Sequence, residues 1–383
     1  MCTKVYVLGE LHQHCKKNNE WKGNQEGVLM SQLLTIREEG IVIGSLRQGK
    51  LNKITDVKGV LVGHSTIDTA DHQTGVTVIK PSLLNPFRNK MIAASYVLNG
   101  FGKTQGLIQM DELGTLETPI ALTNTLNIGL VHDAMVSYMV SSCQKEGIAI
   151  RSVNPVVGEC NDAKLNKIID RVVKEEHVWQ ALATACEDFM TGAVGAGRGM
   201  VCYGIKGGIG SASRIIRIGK TDYTIGALVQ TNHGRTSDLM VNGYSLGEEI
   251  KKDIPDSVVD KGSIMIIIAT DLPVSSRQLK RIIKRSSVGL ARTGSYLGHG
   301  SGEILIGFST SNIIDEDSPF SQIQILNESY IDLAFRGVAE AVEEAILNSL
   351  FTSETVTGYQ GTTIHSIRDY IQIRDGLLVR KVN

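Results

Sequence analysis

A serine that follows a glycine at the mouth of a buried strand has the makings of a nucleophile that first cuts its own chain. Asp260-Lys-Gly-Ser-Ile-Met-Ile-Ile-Ile-Ala-Thr-Asp271 puts Ser263 in that position. Ile264 to Ala269 is an apolar run rich in β-branched residues and bounded by charged and turn residues, the pattern of a strand covered on both faces. A hydroxyl on the first residue of such a strand rests on a rigid element and faces whatever lies at the sheet edge. Gly262, without a Cβ, lets the Gly–Ser peptide take a strained conformation and lets an attacking group reach its carbonyl. Cleavage between Gly262 and Ser263 would leave an N-terminal serine whose own amine is the base. A plain turn entering a core strand uses the same two residues, so the dipeptide alone decides nothing.

Three other segments carry groups that serine acyl transfer needs. Leu228-Val-Gln-Thr-Asn-His-Gly-Arg235 ends a strand with Asn232, an uncharged donor suited to a developing oxyanion. Turn chemistry also favours an asparagine there. Gly298-His-Gly-Ser-Gly-Glu303 runs into a strand with Ser301 and Glu303 two residues apart, hence on one face. A hydroxyl beside a carboxylate can orient a nucleophile and hold the charge of its amine, and it can equally be a hydrogen bond at a strand entry. Pro155-Val-Val-Gly-Glu-Cys-Asn-Asp162 sets Glu159 just after an apolar run, where a carboxylate can bind the ammonium of a peptide substrate or stand as a solvated loop acid.

The elements that must position these groups are short strands and a few helices. Val60 to His64 and Gly75 to Ile79 read as strands, as do Tyr223 to Thr231 and Ile304 to Ser309. Helical spacing covers Asp133 to Glu146, Glu175 to Met190 and Ile331 to Leu350, and Ser275 is the N-cap of a basic helix reaching about Arg292. Segregated blocks of strands and helices imply layered α/β packing. Between Gly192 and Gly210 the chain is dense in glycine, yet Gly195-Ala-Gly-Arg-Gly199 lacks the dinucleotide spacing and its acidic partner. Those glycines line a close-packed site. The charged stretch Glu248 to Lys261 is a natural place for a cleavable connection. Residues 1–40 form a polar N-terminal extension, in which His12 and His14 have no further ligands nearby, and 41–383 are one domain.

Composition excludes several functions. With 39 basic and 40 acidic residues the net charge is −1, so no field attracts nucleic acid or an anionic membrane. No apolar run is long enough to span a bilayer, and the first ten residues make a poor signal peptide. Six scattered cysteines without a CxxC pair point to reduced thiols, a cytoplasmic location and no structural zinc.

In this order the segments resemble the self-processing aminopeptidases that include L-aminopeptidase/D-Ala-esterase/amidase (DmpA-like) and the β-peptidyl aminopeptidases. The resemblance runs from about Thr55 to Thr310. It takes in Glu117-Thr-Pro-Ile-Ala-Leu-Thr-Asn-Thr-Leu126, Gly195-Ala-Gly-Arg-Gly-Met-Val-Cys202, Lys206-Gly-Gly-Ile-Gly210 and Gly289-Leu-Ala-Arg-Thr-Gly294. It implies a four-layer αββα sandwich of the N-terminal-nucleophile type, cut into an α-chain 1–262 and a β-chain 263–383 that stay together. Ser263 is then the nucleophile, Asn232 the oxyanion donor, and Ser301 with Glu303 the groups that assist it. Glu159 receives the substrate's amine, while Asn161 stands where some members have a tyrosine and Lys164 where relatives often have an aromatic residue. The wording around Glu159 is closer to the β-peptidyl branch. Substrates implied are short peptides, amino-acid amides or esters, with no cofactor, and the assembly is a homotetramer of αβ units. The ornithine acetyltransferases, with a threonine nucleophile, share the layout, so acyl transfer to an amine is an alternative. An uncleaved homologue that binds a small ligand is another.

Overall fold

Strands covered on both faces, and therefore apolar along their length, occupy the middle of this protein. The computed structural model describes residues 33–254, 262–374 and 377–381. The strands that build the site are β1 (Leu61–Asp68), β2 (Gln73–Lys80), β3 (Asn89–Gly100), β4 (Thr115–Leu116), β5 (Ile120–Asn124) and β6 (Val156–Cys160). They continue with β7 (Val201–Cys202), β8 (Ile205–Lys206), β9 (Ile209–Ile218), β10 (Thr221–Asn232), β11 (Ser263–Thr270) and β12 (Gly302–Asp315). The helices are α1 (Leu107–Leu113), α2 (Ile128–Lys145), α3 (Glu175–Ala183), α4 (Leu246–Ile250), α5 (Ser276–Ile283), α6 (Ser286–Arg292) and α7 (Ile331–Phe351).

Two sheets lie face to face. One is four-stranded, in the order β1-β2-β5-β6; the other is six-stranded, in the order β4-β3-β12-β11-β10-β9. Pairing is antiparallel except at β5–β6 and β11–β12. Strand β11 shows why its sequence is so uniformly apolar. Ile264, Ile266 and Ile268 pack with Leu279 and Val342 of the helices, while Met265, Ile267 and Ala269 pack with Leu122 and Val156 of the other sheet. A strand buried on both faces cannot alternate with polar residues. On the far side of the four-stranded sheet, Val131 and Met135 of α2 and Val178 of α3 pack on Val76 and Val78. The layers therefore run helices, sheet, sheet, helices. This is the αββα sandwich.

Most expected elements are present, with instructive departures. Ser275 caps α5 through a reciprocal pair: Gln278 N–H donates to its Oγ at 3.3 Å and its own N–H donates to Gln278 Oε1 at 3.2 Å. The basic helix then breaks at a short turn, where Arg285 N–H reaches Ile282 O, and resumes as α6. The helix expected over Glu175–Met190 stops at Ala183. Beyond it Cys186 exchanges both backbone hydrogen bonds with Val62 on β1, at 3.0 and 3.1 Å, and that pairing competes with further helix.

The boundary expected at residue 40 falls inside a packed segment. Ile36 is fully buried and donates its N–H to Asn348 Oδ1 at 3.1 Å, and Arg37 pairs with Glu344 of α7 at 2.7 Å. An apolar anchor and an ion pair tie this stretch to the body of the domain. Residues 1–32, with His12 and His14, lie outside the described residues. The charged connection is helical in part: α4 buries Leu246 and Ile250, Ile254 is also buried, and 255–261 lie outside the described residues. Among the described residues no helix is long and apolar enough to cross a membrane.

Candidate active site

Strand register decides which side chains meet Ser263. As the first residue of β11 it pairs with Asn232 at the end of antiparallel β10 and with Gly302 at the start of parallel β12. Residues directly opposite on paired strands share a face, so the serine and the asparagine project side by side. Gly302 has no side chain to obstruct them. A Cβ there would sit 2.3 Å from Phe101 O and 3.3 Å from Ser263 Oγ.

Ser263 Oγ donates to the carbonyl oxygen of Gly262 at 2.5 Å, and the same oxygen accepts the N–H of Gly302 at 3.1 Å. The hydroxyl thus lies against the peptide it would cleave, and a backbone donor already polarises that carbonyl. Close approach of backbone requires a glycine at 262: a Cβ would meet Asn232 O at 2.1 Å and His233 Cα at 2.6 Å.

Gly262, Ser263, Asn232, Glu159 and Asn161 share the wall of one cavity of about 240 Å³. Glu159 comes from the other sheet, on β6, and is almost fully buried. Its Oε1 accepts the N–H of Lys103 at 2.9 Å and its Oε2 accepts the hydroxyl of Thr125. Asn161 is exposed at the rim, its Oδ1 accepting the N–H of Ala163 at 3.0 Å. Asn232 Oδ1 accepts the N–H of Val201 at 3.0 Å, which leaves its NH2 as the group it can offer to a substrate. Lys164 is exposed and forms no part of the cavity wall.

Ser301 and Glu303 flank Gly302, fully buried, with the serine hydroxyl donating to Glu303 Oε1. Glu303 pairs with Ile264, whose side chain faces the helices, so this couple sits behind the cavity wall instead of lining it. A register shift between Glu303 and Ile304 against β3 marks the same spot, and bulges of this kind re-aim side chains beside sites.

Among the described residues no histidine lines this cavity. His233, next to Asn232, is edge-on to Tyr203 and fully buried; burial pushes its pKa down to about 3. His64 is pushed down to about 4 by burial, partly offset by its bond to Met190 O. Neither is poised to take the proton of Ser263 near neutral pH. Among the described residues no group of three His, Cys, Asp and Glu side chains is arranged to hold a metal.

With this geometry, a profile of peptidase family S58 matches residues 52–364. The chain belongs to peptidase family S58. It is 39% identical over 344 residues to the beta-peptidyl aminopeptidase BapA of Sphingosinicella xenopeptidilytica, covering 83% of this chain and 85% of the relative. Its fold superposes with a TM-score of 0.83 on the PH0078 protein from Pyrococcus horikoshii OT3, at 46% identity, covering 87% of this chain and 96% of that one. It superposes with a TM-score of 0.82, at 33% identity and covering 87% and 95%, on the L-aminopeptidase D-Ala-esterase/amidase from Ochrobactrum anthropi, described as a prototype for the serine aminopeptidases and a variant of the Ntn hydrolase fold. The S58 chain is thus a hydrolase of the aminopeptidase kind with a peptide substrate.

Four further residues of this S58 site are not singled out by the sequence. Phe101, Lys103, Thr125 and Gly300 also line the cavity. Thr125 lies in the motif Glu117–Leu126, where its hydroxyl is visible in the sequence; the backbone N–H of Lys103 carries no sequence signal at all.

Asp162, just past Asn161, carries a separate prediction. Burial raises its pKa to about 6, against nearby polar groups that lower it, among them the Asn166 side chain, which donates to Asp162 Oδ1 at 2.9 Å. The folded chain therefore holds this proton up to a higher pH than the unfolded chain, whose carboxyl titrates near 4. Stability falls as pH rises through that window and then levels off, because the unfolded state loses its proton first. Asp162→Asn should remove this penalty. We expect the variant to be more stable than the parent by about 1–3 kcal/mol at pH 7.5, with the gap closing by pH 4. Urea unfolding at the two pH values measures it; a gap independent of pH would contradict the assignment.

Proposed function

We propose that this chain is a self-processing serine aminopeptidase that cleaves itself between Gly262 and Ser263 and then removes N-terminal residues from short peptides. The observation that carries the reading is the contact of Ser263 Oγ with the Gly262 carbonyl oxygen, at 2.5 Å, in a cavity shared with Asn232 and Glu159. In the precursor, Oγ attacks the Gly262 carbonyl carbon, the C–N bond breaks with the proton passing to nitrogen, and an ester joins Gly262 to Ser263 Oγ. Water hydrolyses that ester. Gly262 becomes a carboxylate and Ser263 gains a free α-amine.

An α-amine has an ordinary pKa of about 8, so an appreciable fraction is neutral and able to accept the hydroxyl proton. That fits a cavity without a histidine. In turnover Ser263 Oγ attacks the carbonyl after the first substrate residue, and the Asn232 NH2 stabilises the oxyanion. The Ser263 ammonium returns the proton to the leaving amine, and water then releases the acyl group. Ser301 and Glu303, one residue either side of Gly302, supply a carboxylate to balance the amine's charge. Glu159 takes the ammonium of the substrate, and two donors, from Lys103 and Thr125, hold its oxygens ready.

The beta-peptidyl aminopeptidase relative supports N-terminal β-amino residues as preferred substrates. Amides and esters as further substrates, and a homotetramer of αβ units, follow from the family resemblance. Intact mass of the freshly purified protein under denaturing conditions is the first test. We expect two species, residues 1–262 and 263–383. A single chain, stable for days and inert toward a β-alanyl p-nitroanilide, would refute self-processing and the peptidase reading together.

A further inference from the structure

Lys206 is fully buried, yet among the described residues it forms no ion pair with a carboxylate. Its Nζ donates to three backbone carbonyls, Gly197 at 3.1 Å, Met200 at 2.8 Å and Gly207 at 2.6 Å. These match the three N–H bonds of an ammonium. Burial lowers its pKa well below the ordinary lysine value, with Arg198 adding to that and Glu354 opposing it. But three carbonyl oxygens that can only accept would face the lone pair of a neutral amine, and this geometry holds the charged form. An apolar side chain of the same shape would avoid the desolvation of a buried cation, so packing alone does not account for a lysine here.

Its bond to Met200 has a consequence at the far end of the same peptide group. The Met200–Val201 peptide accepts from Lys206 Nζ through its oxygen and donates from its N–H to Asn232 Oδ1 at 3.0 Å. A second donor, Gly207 N–H at 3.1 Å, holds the same oxygen. The hairpin of β7 and β8 sets this up by pairing Val201 with Lys206. A cation on an amide's oxygen makes its N–H a stronger donor, and bonds in series reinforce one another. Two amides in line connect the ammonium to the NH2 of Asn232.

We propose that Lys206 is a positioning residue for the oxyanion donor: through the Met200–Val201 peptide its ammonium fixes the Asn232 amide and strengthens the bond that amide gives to the oxyanion. This rests on the reading of Asn232 as that donor. Lys206 does not touch substrate, so its effect falls on turnover and not on ground-state binding.

A double-mutant cycle tests it. The readout is kcat for a β-alanyl p-nitroanilide, expressed per matured chain as counted by intact mass. Lys206→Met should lower kcat about tenfold with KM little changed, and Asn232→Ala should lower it about a hundredfold, the scale of a lost oxyanion donor. Adding Lys206→Met to Asn232→Ala should lower kcat no further. A tenfold loss in both backgrounds would mean that Lys206 acts on the fold independently of Asn232, and the proposal fails while the oxyanion role stands. Unchanged kcat in Asn232→Ala would remove the oxyanion role and the relay with it. If a variant does not mature, side-chain amide NMR of the uncleaved Ser263→Ala chain gives the answer. There Lys206→Met should move the Asn232 NH2 proton signals upfield and leave those of Asn161 in place; an Asn232 signal that stays put overturns the relay.

Discussion

Ser263→Ala is expected to give one full-length chain with no hydrolysis of aminoacyl p-nitroanilides or of β-peptides. Both losses have one cause. Self-cleavage needs Oγ as the atom that attacks Gly262, and turnover needs the same Oγ plus the amine that cleavage creates. Among the described residues the one other hydroxyl in the cavity wall is that of Thr125, just after β5 of the opposite sheet, and it is committed to Glu159 Oε2. It offers no second nucleophile. The fold should survive, because the Gly262 carbonyl keeps the N–H of Gly302 at 3.1 Å and an alanine fits where a serine did. We expect a stability change of about 1 kcal/mol, the worth of one hydrogen bond. Denaturing mass spectrometry and a p-nitroanilide assay read the two losses together. A Ser263→Ala protein that still appears as two chains and turns over would end the nucleophile assignment.

Much of this site is legible in the sequence because its key residues stand at the ends of strands with strong patterns. The run Ile264 to Ala269 has the pattern of a strand covered on both faces, and β11 is that strand, with Ser263 as its first residue. Asn232 closes an equally clear strand. That the two become cross-strand neighbours is register, and register comes from which hydrophobic faces must be buried. No local pattern around either residue states it. Glu159 illustrates the same limit from the other sheet: its place in an apolar run is visible, but the N–H of Lys103 and the hydroxyl of Thr125 reach it from segments 56 and 34 residues away.

Where a local signal competes with tertiary pairing, pairing prevails. Helical spacing continues past Ala183, but the Cys186–Val62 bridge takes the backbone groups a longer helix would have used. The segment before residue 40 reads as a polar extension, yet Ile36 fills a core position in one cluster with Leu347 and Leu350. Ser301 and Glu303 show a subtler case. Their spacing of two does put them on one face and hydrogen-bonded together, but that face is turned to the helices, one position out of phase with Ser263. Support for the nascent amine would thus come from behind the strand, where removing Gly262 opens the first backbone position to them.

Glu159→Gln should separate substrate recognition from self-processing. The carboxylate is nearly buried, and its two oxygens hold one bond each, from Lys103 N–H and Thr125 Oγ1. A glutamine is isosteric, but it replaces one acceptor oxygen with a donor and removes the charge. A substrate ammonium desolvated in that cavity would then lack its counter-charge, and breaking such a pair costs about 4 kcal/mol, on the order of a thousandfold in kcat/KM. Self-cleavage involves no substrate amine, and its reacting groups are Ser263 Oγ at the start of β11 and the carbonyl of Gly262 just before it, so the precursor should still mature at close to the parent rate. An N-acetylated substrate supplies the internal comparison, since the parent should handle it poorly and the variant should handle it no worse. The measurement is kcat/KM for free and acetylated β-alanyl p-nitroanilides, beside the half-time of maturation by mass. Parallel loss of turnover and maturation would make Glu159 a structural residue that braces the two sheets. Loss confined to the free-amine substrate would make it the group that turns a serine hydrolase into an aminopeptidase.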